Sequence, residues 1–162
     1  MQNRREPIVP FSEFDVNQVM VDKEGVQELN PHRFEMQLID GILCENLDNW
    51  TSAGYKDVTE DEFWVRGHMP DYPLMPGVIM CETAAQLSSY FCIKHQMLES
   101  NLVGMGGMDD VRVRAPVRPG DKFIVMVHRM KLRPRILVNS YFQGWVNEKL
   151  CVDGFIKGVR LD

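Results

Sequence analysis

The stretch "MPGVIMCETAAQLSSYFCIKH", residues 75–95, decides the fold. Pro76 suits the first position of a helix, and no Gly or Pro interrupts the run from Val78 to Lys94. Lys94 and His95 close it with basic side chains at the end the helix dipole favours. Val78, Ile79, Met80, Ala84, Ala85, Leu87, Phe91 and Ile93 spread over most of the circumference rather than one stripe. A helix that is apolar nearly all round is buried nearly all round. Residues 76–95 therefore predict a central helix, and that helix carries one carboxylate, Glu82.

Downstream, three long runs read as strands: "DKFIVMVHRMKL" (121–132), "RILVNSYFQGWVN" (135–147) and "KLCVDGFIKGVRL" (149–161). The middle run places Leu137, Asn139, Tyr141, Gln143 and Trp145 on one face and Val138, Ser140, Phe142 and Val146 on the other. The linkers "RP" and "EK" are short enough for hairpins, so 121–161 predicts an antiparallel meander. Upstream, 33–47 and 52–58 read as two further strands around the turn-like "DNWT". Residues 1–30 read as an N-terminal extension with a short helix over 14–29, opened by a capping-box-like Asp15 and Gln18. A buried helix followed by a long meander implies a sheet curled around that helix, an α+β fold of hotdog type.

Composition narrows the classes of function. The chain has 162 residues, room for one domain spanning 1–162, and its hydrophobic fraction of 44% is ordinary for a soluble protein. No apolar run approaches a membrane span, and no apolar segment follows the basic N-terminus as a secretory signal would require. A net charge of −5 argues against general nucleic-acid binding. Cys44, Cys81, Cys92 and Cys151 are scattered without metal-ligand spacing, so they read as free thiols in a reducing, cytoplasmic setting rather than a metal site.

Two residues carry candidate chemistry. His68 sits in a loop stiffened by Gly67, Pro70, Pro73, Pro76 and Gly77, the kind of backbone that holds a neutral base at a fixed distance from a substrate. A surface histidine with no role is the plainer reading. Glu82, among Met80, Cys81, Ala84 and Ala85, is explained in position by the helix dipole but not in burial. A buried carboxylate must be paired or protonated. Gln86, one turn on, is placed either to hold that carboxyl or to make a structural contact. Gly77 offers a backbone N–H at the helix start with no side chain in the way. Cys81 reads as a small apolar residue, not a nucleophile.

The run "GHMPDYPLMPGVIMCETAAQ" resembles the signature of the β-hydroxyacyl-acyl-carrier-protein dehydratases of fatty-acid synthesis, the FabZ type with FabA as its sister: G-H-F-P-x-x-P-x-M-P-G-V and then an E-x-x-A-Q helix. "NPHRF" (30–34), Asp40 and "VRVRAPVRPGD" extend the resemblance over roughly residues 12–162. It implies a hotdog enzyme that dehydrates 3-hydroxyacyl thioesters, with His68 as general base and Glu82 as general acid. It also implies a homodimer, or a hexamer built as a trimer of dimers, whose subunits supply the two residues to a shared site. No metal or organic cofactor is implied; the substrate arrives on the phosphopantetheine of acyl carrier protein. Glu82, where the FabA type has Asp, points to dehydration without isomerisation. Met69 replaces the usual Phe, Val113 replaces another, and "FEMQL" replaces Tyr-Pro-Phe-Leu-Leu, a stretch near the acyl tunnel. Arg112, Arg114, Arg129 and Arg133, with Arg118, Lys131 and Arg135, are candidates for docking an acidic carrier. Three alternatives stay open: a hotdog thioesterase, a non-catalytic acyl-binding paralogue, and a dehydratase of a polyketide or other specialised lipid pathway.

Overall fold

A computed structural model describes residues 5–162. After a 3-10 turn at Phe11–Glu13 the elements are β1 (Val21–Asp22), α1 (Lys23–Leu29), β2 (Gly41–Asn46), β3 (Thr51–Asp57), α2 (Gly77–Lys94), β4 (Val103–Val113), β5 (Lys122–Arg133), β6 (Leu137–Val146) and β7 (Lys149–Arg160). The strands form one antiparallel sheet in the order β1-β2-β3-β5-β6-β7-β4. α2 packs against its inner face, touching β3 to β7, which is the hotdog arrangement.

α2 runs as the sequence predicts, with twelve of its residues buried from Met80 to Ile93. Pro76 is its N-cap rather than its first residue: the carbonyl accepts from the N–H groups of Ile79 and Met80 at 2.9 and 3.1 Å. The period of two in the meander separates two cores. Phe123, Val125, Val127, Val138 and Phe142 face α2. Ile124, Met126, Tyr141 and Trp145 face the other way and are covered by Ile8, Val9, Phe11 and Phe14. Burial on both faces is why β5 reads as a continuous apolar run. The loop between β6 and β7 is Asn147-Glu148, both at positive φ, the tight turn that matches strand twist.

Residues 5–16 thus form a strap over the outer face instead of leading into a helix. Gln143, fully buried, pins it: its Oε1 accepts from the Ile8 N–H at 2.8 Å and its Nε2 donates to the Glu6 carbonyl at 2.9 Å. Beside it, fully buried Asp153 accepts from Arg114 Nε at 2.6 Å and from the Tyr141 hydroxyl at 3.4 Å.

Three sequence expectations need correction. Helix α1 begins at Lys23, capped by the Asp22 side chain on the Gly25 N–H, whereas Asp15 closes only a turn through the Asn17 and Gln18 N–H groups. The expected strand over 33–47 is a 3-10 turn at Phe34–Met36 and then β2 from Gly41, because Leu38 N–H bonds the Gln86 side chain instead of a neighbouring strand. β4 was not expected. Among the described residues it pairs only with β7, carries two bulges and uses Gly106 where a Cβ would stand 2.6 Å from Val159.

Candidate active site

The loop from Trp64 to Pro76 is fixed at both ends. Trp64 and Met75 are buried, the Met75 N–H donates to the Val117 carbonyl at 2.7 Å, and Arg118 stacks on Tyr72 with its guanidinium 4.5 Å from the ring centre. Between them, the His68 N–H donates to the Trp64 carbonyl at 2.7 Å. The half-buried imidazole places Nδ1 2.8 Å from the Leu74 carbonyl, which can only accept. Nδ1 therefore carries the hydrogen, and in the neutral ring Nε2 is left with its lone pair.

Glu82 faces a different set of partners. Its Oε1 accepts from Gln86 Nε2 at 2.8 Å and lies 3.5 Å from His32 Nε2. Gln86, 2% exposed, also donates to the Met36 carbonyl at 2.7 Å and accepts from the Leu38 N–H at 3.0 Å. The two alternatives for Gln86 are both met: it holds the carboxylate and ties the 36–38 segment to α2. Glu82 is partly exposed and has polar neighbours, so pairing accounts for its place on an apolar helix.

His32 is the residue that sequence reasoning did not place in the site. It stands in the quoted "NPHRF", but its meeting with Glu82, fifty positions later, is a tertiary fact. Its neighbour Asn30 holds the segment by donating to the Gln86 backbone carbonyl at 2.9 Å. Burial pushes the His32 imidazole below its usual pKa, with Arg33 adding and the Glu82 charge opposing. The ring is thus neutral at physiological pH, and its buried Nδ1 has no partner among the described residues.

At the start of α2 no side chain caps the first turn, so the Gly77 N–H points out of the helix. A Cβ at Gly77 would come 2.9 Å from Val113 Cγ2, so a side chain there would have to push Val113 of β4 aside. Around this end Met69, Tyr72, Val78 and Val113 are all more than half exposed, an apolar surface without cover. A cavity of about 130 Å³ lies alongside α2 and is lined by His32, Glu82, Gln86 and Ser89 together with β4 and β7 residues. No residue of the His68 loop lines it.

The chain matches known proteins over most of its length. The FabA-like domain matches residues 30–154. This chain belongs to the FabA-like family. It is 35% identical over 117 residues to the 3-hydroxyacyl-[acyl-carrier-protein] dehydratase FabZ of Bacillus cereus (strain AH820), covering 72% of this chain and 81% of that one. To the FabZ of Streptococcus pneumoniae serotype 19F (strain G54) it is 36% identical over 137 residues, 85% of this chain and 96% of the other. Among solved structures, the dehydratase heterocomplex ApeI:P from Xenorhabdus doucetiae shares the fold at a TM-score of 0.71 and 18% identity, over 85% of this chain and 91% of that one.

Several other candidate residues of this FabA-like chain have structural employment. Arg114 is committed to buried Asp153. Arg129 lies 3.7 Å over the Trp50 ring, and Arg135 pairs with Glu99. The basic residues also fall into two groups. The row of paired residues from Arg133 runs through Leu137 and Val159 to Gly104, eight positions along β4 from Arg112. At about 3.3 Å per residue, less two bulges, that is roughly 20 Å. Arg112 and Arg118 stand at the Gly77 end of α2, while Arg129 and Arg133 stand at its C-terminal end. Asp40 is a strut: it accepts from the Asp57 N–H at 2.9 Å and from Lys23 Nζ at 3.2 Å. Cys81 and Cys92 are buried thiols pushed up to about 11, unsuited to attack.

Proposed function

We propose that this chain, like the relatives named 3-hydroxyacyl-[acyl-carrier-protein] dehydratase FabZ, removes water from 3-hydroxyacyl thioesters borne on acyl carrier protein, and that it gives trans-2-enoyl thioesters in fatty-acid biosynthesis. The observation that carries the residue assignment is that His68 and Glu82 each keep one reactive atom unengaged among the described residues, Nε2 and Oε2, while their other atoms are fixed by Leu74 and Gln86. Nε2 of neutral His68 takes the C2 proton, electrons move into the C2–C3 bond, and the C3–O bond breaks. Glu82, carrying a proton on its unengaged Oε2 when substrate is bound, gives that proton to the departing hydroxyl to make water and is left as the carboxylate, with His32 beside it. Charge building on the thioester oxygen falls to the Gly77 N–H, a donor of a type whose loss costs about 3 kcal/mol in the barrier. The reaction is written with protein groups and the carrier's phosphopantetheine arm alone.

The functional unit in this reading is a homodimer, or a trimer of such dimers. Supporting this, the cavity beside Glu82 receives nothing from the His68 loop of its own chain, and the exposed apolar residues Met69, Val78 and Val113 offer a surface for a second subunit to cover. The carrier docks at Arg112 and Arg118, near the Gly77 end; Arg114 serves as their structural support, and Arg129 and Arg133 are too far along the sheet to join them. The cytoplasm, where four free thiols stay reduced, suits the enzyme.

Mixed subunits test the shared site. His68→Ala and Glu82→Gln proteins are each expected to be inactive in 3-hydroxyacyl-carrier dehydration followed by mass spectrometry. After unfolding and reassortment of an equal mixture, half the dimers are hybrids with one intact site in two, so about a quarter of wild-type activity returns. No recovery, with hybrids verified by native mass spectrometry, refutes the two-subunit site. Full activity in both parents refutes the residue assignment.

A further inference from the structure

The cavity beside Glu82 holds a feature that dehydration does not use. Glu82, Ala85, Gln86 and Ser89 lie at i, i+3, i+4 and i+7 on one face of α2, and all four line it. Val103, Met105 and Ile156 give the opposite wall its apolar character. At about 1.5 Å of rise per residue, Ser89 stands about 10 Å beyond Glu82 along the helix axis.

Ser89 is 6% exposed, and its hydroxyl has no hydrogen-bond partner among the described residues. The neighbours show that this is not the habit of the helix. Thr83 returns its hydroxyl to the Ile79 carbonyl at 2.8 Å, and Ser88 bonds the Ser140 hydroxyl at 3.1 Å. A buried hydroxyl left over at the far end of a cavity whose near end holds the reacting carboxylate is a polar group awaiting a ligand atom. The volume, about 130 Å³, is close to that of engineered cavities that take up a benzene ring.

We propose that Ser89 is a specificity residue: the cavity receives the far end of the acyl chain, and the Ser89 hydroxyl hydrogen-bonds an oxygen carried there. The preferred substrates are medium-length 3-hydroxyacyl thioesters with a hydroxyl or carbonyl oxygen about 10 Å from C3, rather than plain alkyl chains of equal length. This rests on the dehydratase reading for its orientation, since it takes C3 to lie at Glu82.

The matched probes are 3,10-dihydroxydecanoyl and 3-hydroxyundecanoyl thioesters of acyl carrier protein, which differ only in a terminal hydroxyl against a methyl. With about 1.3 Å of advance per carbon from bonds near 1.5 Å, the terminal oxygen reaches about 10 Å from C3. The wild-type protein is expected to use the hydroxyl-ended chain at least as well as the methyl-ended one. Ser89→Ala strands that hydroxyl in the cavity, and the ratio of kcat/KM should fall about tenfold or more. Ser89→Thr, which restores a hydroxyl, should return most of the ratio. Calorimetric binding of 10-hydroxydecanoyl- and undecanoyl-pantetheine to the same three proteins reads the cavity without turnover. A ratio that Ser89→Ala leaves unchanged in both assays overturns the inference. Absence of turnover with either substrate, alongside a Ser89-dependent binding preference, overturns the dehydratase reading and leaves the cavity assignment standing.

Discussion

Gln86→Leu replaces the side chain that joins Glu82 to the rest of the site with an apolar one of similar size. Three hydrogen bonds go. The Leu38 N–H, on a fully buried residue, loses its acceptor and has nowhere to turn, a cost of about 1–3 kcal/mol. The Met36 carbonyl belongs to a residue 42% exposed and can turn to water, so its loss is small. Glu82 loses a donor at 2.8 Å, a bond worth about 0.5–1.5 kcal/mol. That last cost falls on the position of the carboxyl rather than on the fold, because Glu82 keeps access to solvent. The expected outcome is a destabilisation of about 2 kcal/mol by urea titration with an unchanged m-value, together with a kcat loss well beyond tenfold and little change in KM. A variant of wild-type turnover would refute the claim that Gln86 positions Glu82. A destabilisation below about 0.5 kcal/mol would refute the claim that it anchors the 36–38 segment.

Burial holds the His32 and His128 imidazoles below their usual 6.5, with Arg129 adding to the effect on His128. The unfolded chain then binds more protons than the folded one, so the stability they confer is present above about pH 6.5 and lost as pH falls through the lowered folded values. Urea midpoints measured from pH 7.5 to 5 should drop, and should drop less in His32→Gln and His128→Gln proteins. Leu87→Ala empties a fully buried site on α2 and should cost about 2–5 kcal/mol by the same titration. Reversing Arg112 and Arg118 to Glu should raise KM for carrier-borne substrate much more than for a pantetheine thioester, and Arg133→Glu should do neither; equal effects from both ends of the sheet would dismiss the docking assignment.

What was legible in the sequence follows from how local each signal is. α2 declares itself because a seventeen-residue run without breakers, from Val78 to Lys94, and with apolar groups all round has no other stable home. β5 to β7 declare themselves through alternation, and Glu82 and Gln86 through helical spacing alone. β4 hid because Gly104, Gly106, Gly107 and the Asp109-Asp110 pair answer to bulges and to close approach by β7, needs that exist only in the folded sheet. The separation of Arg112 from Arg133 hid for a similar cause: nearness in sequence across one connection became distance when β4 was laid at the far edge beyond β7. The FEMQL segment misled because its extended residues are held by a helix side chain rather than by a strand.

The strap has a consequence for where this molecule can be divided. The family domain begins at residue 30, yet Ile8, Val9, Phe11 and Phe14 close the second core and Gln143 satisfies its buried amide on residues 6 and 8. A chain that lacked only the strap, residues 5–16, would keep α1, α2 and the reaction centre, but Met126, Tyr141 and Trp145 would become a bare adhesive sheet face. Its failing would be colloidal before it was catalytic: material that clumps on standing while its freshly made fraction still turns over substrate. The smallest unit that performs the chemistry and the smallest unit that stays in solution are different lengths of the same polypeptide.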